Sequence, residues 1–354
     1  MHIDTLKFYK YIPVKKPIYN GKFCQIPFTT LQIDLDGDVQ LCGCQLHMPY
    51  TIGNIYNNTL QEIWLSHSAE QVRQSVLDGD FTYCNWACSV LPNLPLRPSQ
   101  LPVATPFPKI IKIDLDRSCN LKCPSCREHV IIEKNSARID KQIELYTQIK
   151  QYALENPNTD IIIMPLASGE IFASHSGLEF LKSLIDYPFD NLKIEITTNG
   201  TLINKNKKLI KNIGHLIKSF SVSIDAATPE TYRQVRGGDW NELLLGLNFI
   251  KELGTYSLKF NYCIQKNNFH EIEQFAQFAN SFGANIYYQK LLDWGHWTIA
   301  WWHDNNVFDR TQPSFESALE MLKRVKQTYP KKIYMMAELT KYLEKQKNAV
   351  DFTE

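Results

Sequence analysis

From residue 109 onward, short β-branched runs alternate with amphipathic helical stretches, and on four of the runs one face is polar. Side chains alternate faces along a strand. In Leu192–Thr198, Leu192, Ile194 and Ile196 oppose Lys193, Glu195 and Thr197. In Phe220–Asp225, Phe220, Val222 and Ile224 oppose Ser221, Ser223 and Asp225. Leu258–Gln265 sets Leu258, Phe260, Tyr262 and Ile264 against Lys259, Asn261, Cys263 and Gln265, and the first run sets Lys112, Asp114 and Asp116 against Ile111, Ile113 and Leu115. A parallel sheet covered on both faces would read as near-continuous apolar runs. Crossover helices outside and a polar lumen inside satisfy this pattern. The alternative, a sheet with one solvated face, conflicts with crossover helices that would cover both sides.

The pattern predicts strands near 110–116, 160–166, 192–198, 219–225, 257–265 and 285–291. Helices are expected near 139–154, 176–186, 204–213, 240–253, 269–281 and 314–328. Six strand–helix units with no sign of two more give an α/β fold, a partial (β/α)6 TIM-type barrel spanning 109–330, closed by a short strand and helix over 331–354. Residues 91–108 hold six prolines and read as an extended linker. Residues 1–90 are turn-rich and hold five of the nine cysteines, so they are expected to form a small cysteine-rich domain. A net charge of +1 gives no electrostatic case for a nucleic-acid or membrane partner. No apolar run approaches a membrane span and no signal-peptide core opens the chain, so a cytoplasmic protein with metal-binding rather than disulfide-bonded cysteines is expected.

Cys119, Cys123 and Cys126 stand in Arg-Ser-Cys-Asn-Leu-Lys-Cys-Pro-Ser-Cys-Arg, directly after the first strand-like run. Thiolates select zinc or iron–sulfur clusters. A structural zinc site takes four protein ligands, whereas this triplet supplies three. The C-x3-C-x2-C spacing resembles the radical S-adenosylmethionine (SAM) enzymes. The resemblance implies a 4Fe–4S cluster whose open iron is chelated by SAM. A zinc loop or buried thiols are the plain alternative.

The resemblance covers roughly 109–330 and implies further SAM contacts. Ala167-Ser168-Gly169-Glu170 is similar to the Gly-Gly-Glu segment that meets the SAM amino group, with Ser168 in place of the first glycine. Ser223 resembles the hydroxyl that binds the SAM carboxylate, and Arg236 the arginine that clamps it. Gln265 and Asn268 fall near where such enzymes contact ribose, and Thr198-Asn199-Gly200 closes the third strand in the expected way. Ser125 stands where an aromatic residue often precedes the third cysteine.

Cys24, Cys42, Cys44, Cys84 and Cys88 lie in a frame with Asp36-Gly37, Ile52-Gly53-Asn54-Ile55 and Leu60-Gln61-Glu62-Ile63-Trp64. This frame resembles the SPASM or twitch auxiliary-cluster domain, here placed before the radical domain as in a branch of bacterial peptide maturases. Cys24, Cys42, Cys84 and Cys88 are the expected ligands of a second 4Fe–4S cluster, with Cys44 a spare that could replace Cys42; four thiolates suit zinc equally. Asp36-Gly37 reads as a hairpin turn bringing Cys24 and Cys42 together.

Cys263 belongs to neither group. A lone strand cysteine is commonly buried and inert. The alternation nonetheless places Cys263 on the lumen side, where a thiol could return a hydrogen atom to a substrate radical. The expected activity is hydrogen abstraction from a residue of a ribosomally made peptide, with L-to-D epimerisation as the favoured sub-type. Backbone excision, crosslinking, and modification of a sugar or other small molecule remain alternatives, as does a non-enzymatic zinc or redox scaffold. Flavodoxin or ferredoxin would serve as reductant, and a separate peptide-recognition protein is possible. Four of the seven tryptophans lie in 292–303, a segment after the last barrel strand that could form an aromatic lid or simply pack under a loop. His296 and His303 have no partner at ligand spacing and are assigned no metal.

Overall fold

The computed structural model describes residues 21–350, except 44–46, 86–87, 89, 101, 166–167, 255 and 293–296. Ten strands form one sheet in the order β10-β9-β8-β7-β6-β5-β4-β1-β2-β3. They are β1 (Thr30–Ile33), β2 (Asp38–Gln40), β3 (Gly53–Asn54), β4 (Ile110–Ile113), β5 (Ile161–Pro165), β6 (Leu192–Thr198), β7 (Ile217–Ser223), β8 (Ser257–Ile264), β9 (Asn285–Lys290) and β10 (Ile333–Met335). β4 to β10 are parallel in sequential order. Each crossover is helical, and the arrangement is the partial TIM-type barrel anticipated from the face alternation.

The burial of each strand follows its pattern. β6 reads buried at Leu192, Ile194, Ile196 and Thr198 and half-buried between them, and β8 buries Leu258, Phe260, Tyr262 and Ile264. The apolar row packs on the outer helices in one contiguous core. The polar row is left on the other, concave side. The helix Trp240–Leu253 shows how local chemistry sets the crossovers. Asp239 accepts the amides of Asn241 and Glu242 at its start, and Gly254 ends it at φ 67°.

Three features were not anticipated. The N-terminal region contains helices Leu60–Trp64 and His67–Asp78, the first with a capping box between Thr59 and Glu62. Short helices Pro229–Val235 and Ile299–Asn305 interrupt loops at the barrel mouth. Most importantly, β1 pairs parallel to β4, so the N-terminal hairpin continues the barrel sheet. The β1–β2 turn is the expected one: Asp34 accepts the amides of Asp36 and Asp38, and Gly37 sits at φ 82°. The proline-rich stretch is extended in part but also packed. Leu91, Leu94 and Phe107 are buried, and the Trp64 indole donates to the Thr105 carbonyl at 2.6 Å.

Parallel strands put all their following loops at one rim. The segments after β4, β5, β6, β7, β8 and β9 therefore share the C-terminal mouth, the usual place for chemistry in such barrels. β2 runs the other way, so the residues after it lie at the opposite rim. The Lys112 ammonium, on the concave face of β4, donates there to the Gly43 carbonyl at 3.2 Å. No helix among the described residues is long and apolar enough to cross a membrane.

Candidate functional site

The loop after β4 is folded tightly. Asp116 accepts the Ser118 amide at 2.6 Å, and the Cys119 amide donates to the Ile131 carbonyl at 2.7 Å. The Cys123 carbonyl accepts from the amides of Cys126 at 2.8 Å and Arg127 at 3.0 Å, a turn that brings Cys126 back beside Cys123. Cys119, Cys123 and Cys126 pack together around Leu121, the first two buried and the third half-buried. Burial pushes the Cys119 and Cys123 thiols up, so binding of a thiophilic group there would displace their protons. Two side chains aim N–H groups at sulfur: Asn199 Nδ2 lies 3.8 Å from Cys119 Sγ, and Arg127 Nε lies 3.4 Å from Cys126 Sγ. Three soft donors in one pocket, with polar hydrogens facing them, fit an anionic iron–sulfur cluster.

The loop after β5 lies against this one. The Ser168 amide donates to Asp114 at 2.6 Å, its carbonyl accepts from Arg127 at 2.8 Å, and the Glu170 amide donates to the Ser118 carbonyl at 2.7 Å. Gly169 is half-buried between them; Ala167 lies outside the described residues. The Glu170 carboxylate is fully buried and turned toward β6. It accepts from the Thr198 hydroxyl at 2.9 Å and the Asn199 amide at 2.6 Å, rather than opening toward a bound amino group. Burial raises it to about 7, against the pull of those hydrogen bonds.

Past β7, Asp225 adopts φ 60°, uncommon for a residue other than glycine. Its buried carboxylate accepts from Arg236 Nη1 at 2.9 Å and from the Cys263 amide at 2.7 Å. Ser223 is half-buried on the concave face two residues earlier. The helix carrying the approach to Arg236 is anchored by Glu271, which accepts from Ala227 N, Thr228 Oγ1 and Thr231 Oγ1. Arg236 Nε, Gln265 Nε2 and the Tyr232 hydroxyl are buried with no hydrogen-bond partner among the described residues. The Asp225 carboxylate holds the Arg236 charge despite its burial. Unpaired buried donors are costly, and these three remain available to a polar ligand. Asn268 is tied into the fold beside them. Its Nδ2 donates to the carbonyls of Asp225 and Cys263 at 2.9 and 2.8 Å, and its Oδ1 accepts the Gln265 amide. Its amide is thereby a clip between two strand ends, with no hydrogen left for a ribose.

At the opposite rim, Cys24, Cys42, Cys84 and Cys88 line one cavity with Ile26, Leu41, Met48 and His47. The space between them is about 360 Å³, counting what opens to solvent. Burial raises the Cys24 thiol. Burial also works on Cys88, but hydrogen bonding from His47 and the Val90 and Leu91 backbone outweighs it and lowers that thiol. Cys44 lies outside the described residues. Four sulfurs around one largely apolar cavity fit a second cluster.

The radical SAM superfamily model matches residues 115–279, and a second model, described as an iron–sulfur cluster-binding domain (SPASM), matches residues 24–89. The chain thus carries a radical SAM domain preceded by a SPASM domain. Its cofactors are 4Fe–4S clusters and SAM. Among curated relatives, a GTP 3′,8-cyclase of Alkaliphilus metalliredigens is 28% identical over 187 residues, 52% of this chain and 57% of that protein. The GTP 3′,8-cyclase of Aquifex aeolicus is 26% identical over 231 residues, 63% of this chain and 66% of the relative. The chain thus spans little more than half the length of the first of these. Among solved structures, Streptococcus suis SuiB bound to S-adenosylmethionine is 16% identical over 65% of this chain and 50% of that one, with a TM-score of 0.42. SuiB bound to precursor peptide SuiA gives 13%, 78%, 64% and 0.44.

Within the radical SAM domain, Cys263 lies on the concave face of β8 near the cysteine loop, with Cys126 among the groups acting on it. Burial, then the Asp225 charge, holds its thiol well above the usual range, so it stays protonated. Across the mouth, Trp297 Nε1 donates to the Pro124 carbonyl at 3.1 Å, and its ring stacks on Trp301 at 4.8 Å and Trp302 at 5.8 Å. Trp294 and His296 lie outside the described residues; His303 faces Asp309 at 3.5 Å. The sequence pattern gave Arg127 and Glu271 no role, and it marked Asn199 and Asp225 only as strand-end and polar-face positions. The available signal was position for three of them: Asn199 and Asp225 follow strand ends and Arg127 follows Cys126, whereas Glu271 sits in the short helix Phe269–Glu271.

Proposed function

We propose that this radical SAM enzyme epimerises a residue of a ribosomally made peptide, with Cys263 as hydrogen donor. In this reading Cys119, Cys123 and Cys126 hold the SAM-binding cluster, and Cys24, Cys42, Cys84 and Cys88 hold the auxiliary one. A cluster and SAM held there would supply one-electron reductive chemistry able to take a hydrogen atom from substrate. Arg236 receives the SAM carboxylate, with Ser223 beside it and Gln265 offering its unpaired amide hydrogen to the ribose. Ser168 and Gly169 shape the wall against the cysteine loop, and Glu170 secures that wall to β6. The peptide lies in the polar lumen, its Cα hydrogen is taken from one face, and the Cys263 S–H delivers a hydrogen atom to the other. One electron and one proton, the electron from a flavodoxin- or ferredoxin-type reductant, then restore the thiol.

The observation that carries this reading is the Cys263 thiol itself. It faces the lumen close to the cysteine loop and is held in the protonated form that hydrogen-atom donation requires. The domain reading remains that of the sequence: an auxiliary region over 1–90, a linker over 91–108, the radical barrel over 109–330 and a closing segment over 331–354.

Mass spectrometry of candidate precursor peptides incubated in deuterated water tests the proposal. A gain of one mass unit per site, lost in Cys263→Ala, is the expected result. Loss of a fragment would identify excision, and loss of two hydrogens a crosslink. A second reading, a nucleotide substrate, is favoured by the cyclase relatives and by Lys259, a half-buried lumen ammonium facing Tyr287 and within reach of Lys112. GTP consumption under the same reducing conditions would establish it.

A further inference from the structure

Arg127 is buried, and each of its three guanidinium nitrogens makes a hydrogen bond, none of them to a carboxylate among the described residues. Nη1 donates to the Arg117 carbonyl at 2.7 Å, Nη2 to the Ser168 carbonyl at 2.8 Å, and Nε to Cys126 Sγ at 3.4 Å. An arginine stays charged in a protein, and a buried charge needs a counter-charge. Carbonyl oxygens satisfy its hydrogens but do not neutralise it. The group able to become anionic that Arg127 touches directly is Cys126, and the same charge acts on Cys119. The fork is immobilised by two loops, so it cannot swing to solvent. Asn199 repeats the motif on the other side, offering Nδ2 to Cys119 while Asn120 holds the same amide at 2.9 Å.

We propose that Arg127 is the built-in counter-charge of the SAM-binding cluster, a positioning residue whose hydrogen bond to Cys126 raises that cluster's reduction potential, with Asn199 adding a weaker contribution at Cys119. One-electron reduction makes the cluster more negative. A fixed cation and N–H donors at its thiolates stabilise that state, and hydrogen bonds to cluster sulfurs are a recognised control on potential. The inference rests on Cys119, Cys123 and Cys126 being the ligands.

The test is an anaerobic redox titration with titanium(III) citrate, followed by electron paramagnetic resonance on the full-length reconstituted protein. The signal that changes shape on adding SAM reports this cluster alone. Arg127→Gln is expected to move its midpoint to more negative potential with iron content unchanged, and Arg127→Lys to move it less, because the ammonium keeps charge but not the fork. Asn199→Leu should give a smaller shift of the same sign. An unshifted midpoint in fully loaded Arg127→Gln overturns the proposal. If that variant does not fold, Arg127→Lys decides on the hydrogen bond: a lowered midpoint supports the fork at Cys126 as a control on the potential, and an unchanged one refutes it. Retention of the SAM-responsive signal in Cys126→Ala would instead overturn the ligand assignment beneath it.

Discussion

Replacing Glu170 by glutamine should change how stability depends on pH. The carboxyl is fully buried and raised to about 7 from an ordinary value of 4.5, with burial as the leading cause. The folded state therefore holds this proton where the unfolded chain has released it. Stability falls as pH rises from about 4.5 to about 7 and is level above that, the sign expected when the native state binds more protons. The limiting cost is the shift times 1.36 kcal/mol per unit, roughly 3 kcal/mol, of which about 2 kcal/mol develops between pH 5.5 and 8. Glutamine does not titrate, so that slope should vanish from the variant. Asp114, also pushed up to about 6 by burial, contributes the same sign in both proteins and cancels in the comparison. The measurement is denaturant unfolding under argon at several pH values, taken as the difference between wild type and Glu170→Gln. A difference that stays constant from pH 5.5 to 8 would refute the assignment of a buried, proton-holding carboxyl.

Further outcomes are open to direct measurement. Cys119→Ala should abolish reductive SAM cleavage, read as loss of 5′-deoxyadenosine; retained cleavage would sink the ligand assignment. Asn268→Ala removes two donors and one acceptor from buried backbone groups and should cost about 2–4 kcal/mol in unfolding free energy, seen as a lowered melting temperature. Tyr262→Phe deletes only the hydroxyl that donates to the Asn268 carbonyl at 2.6 Å, so a loss of about 1 kcal/mol is expected. Iron counts on anaerobically prepared Cys24→Ala should fall by the content of one cluster, with the SAM-responsive signal intact.

The barrel was legible because strand periodicity is a local signal. Leu192 to Thr198 announces its two faces within seven residues, and the structure buries the row that the alternation selects. The cysteine loop was legible for the same reason, since C-x3-C-x2-C is one short segment. Hydrogen-bond commitment was not. Glu170 and Asn268 stand where the family resemblance expects ligand contacts, but their side chains are spent on Thr198, Asn199, Asp225 and Cys263. Those partners come from neighbouring strands, and no single segment encodes them. Asp225 was read as one more polar position on its strand; its backbone turn and its bridge from Arg236 to Cys263 need the packed mouth. The pairing of β1 with β4 was hidden too, because neither Thr30–Ile33 nor Ile110–Ile113 names its neighbour.

That pairing gives the N-terminal hairpin a second office. β4 would otherwise end the barrel sheet with a row of unsatisfied amides and carbonyls, the template on which chains stack edge to edge. Residues Thr30 to Ile33 occupy that row, and β2 and β3 then narrow the border to two residues at Gly53–Asn54. Cutting the chain before β4 would thus strip a protective selvage as well as a set of cysteines. Insolubility of such a fragment would speak first of an open seam, whatever became of the metal.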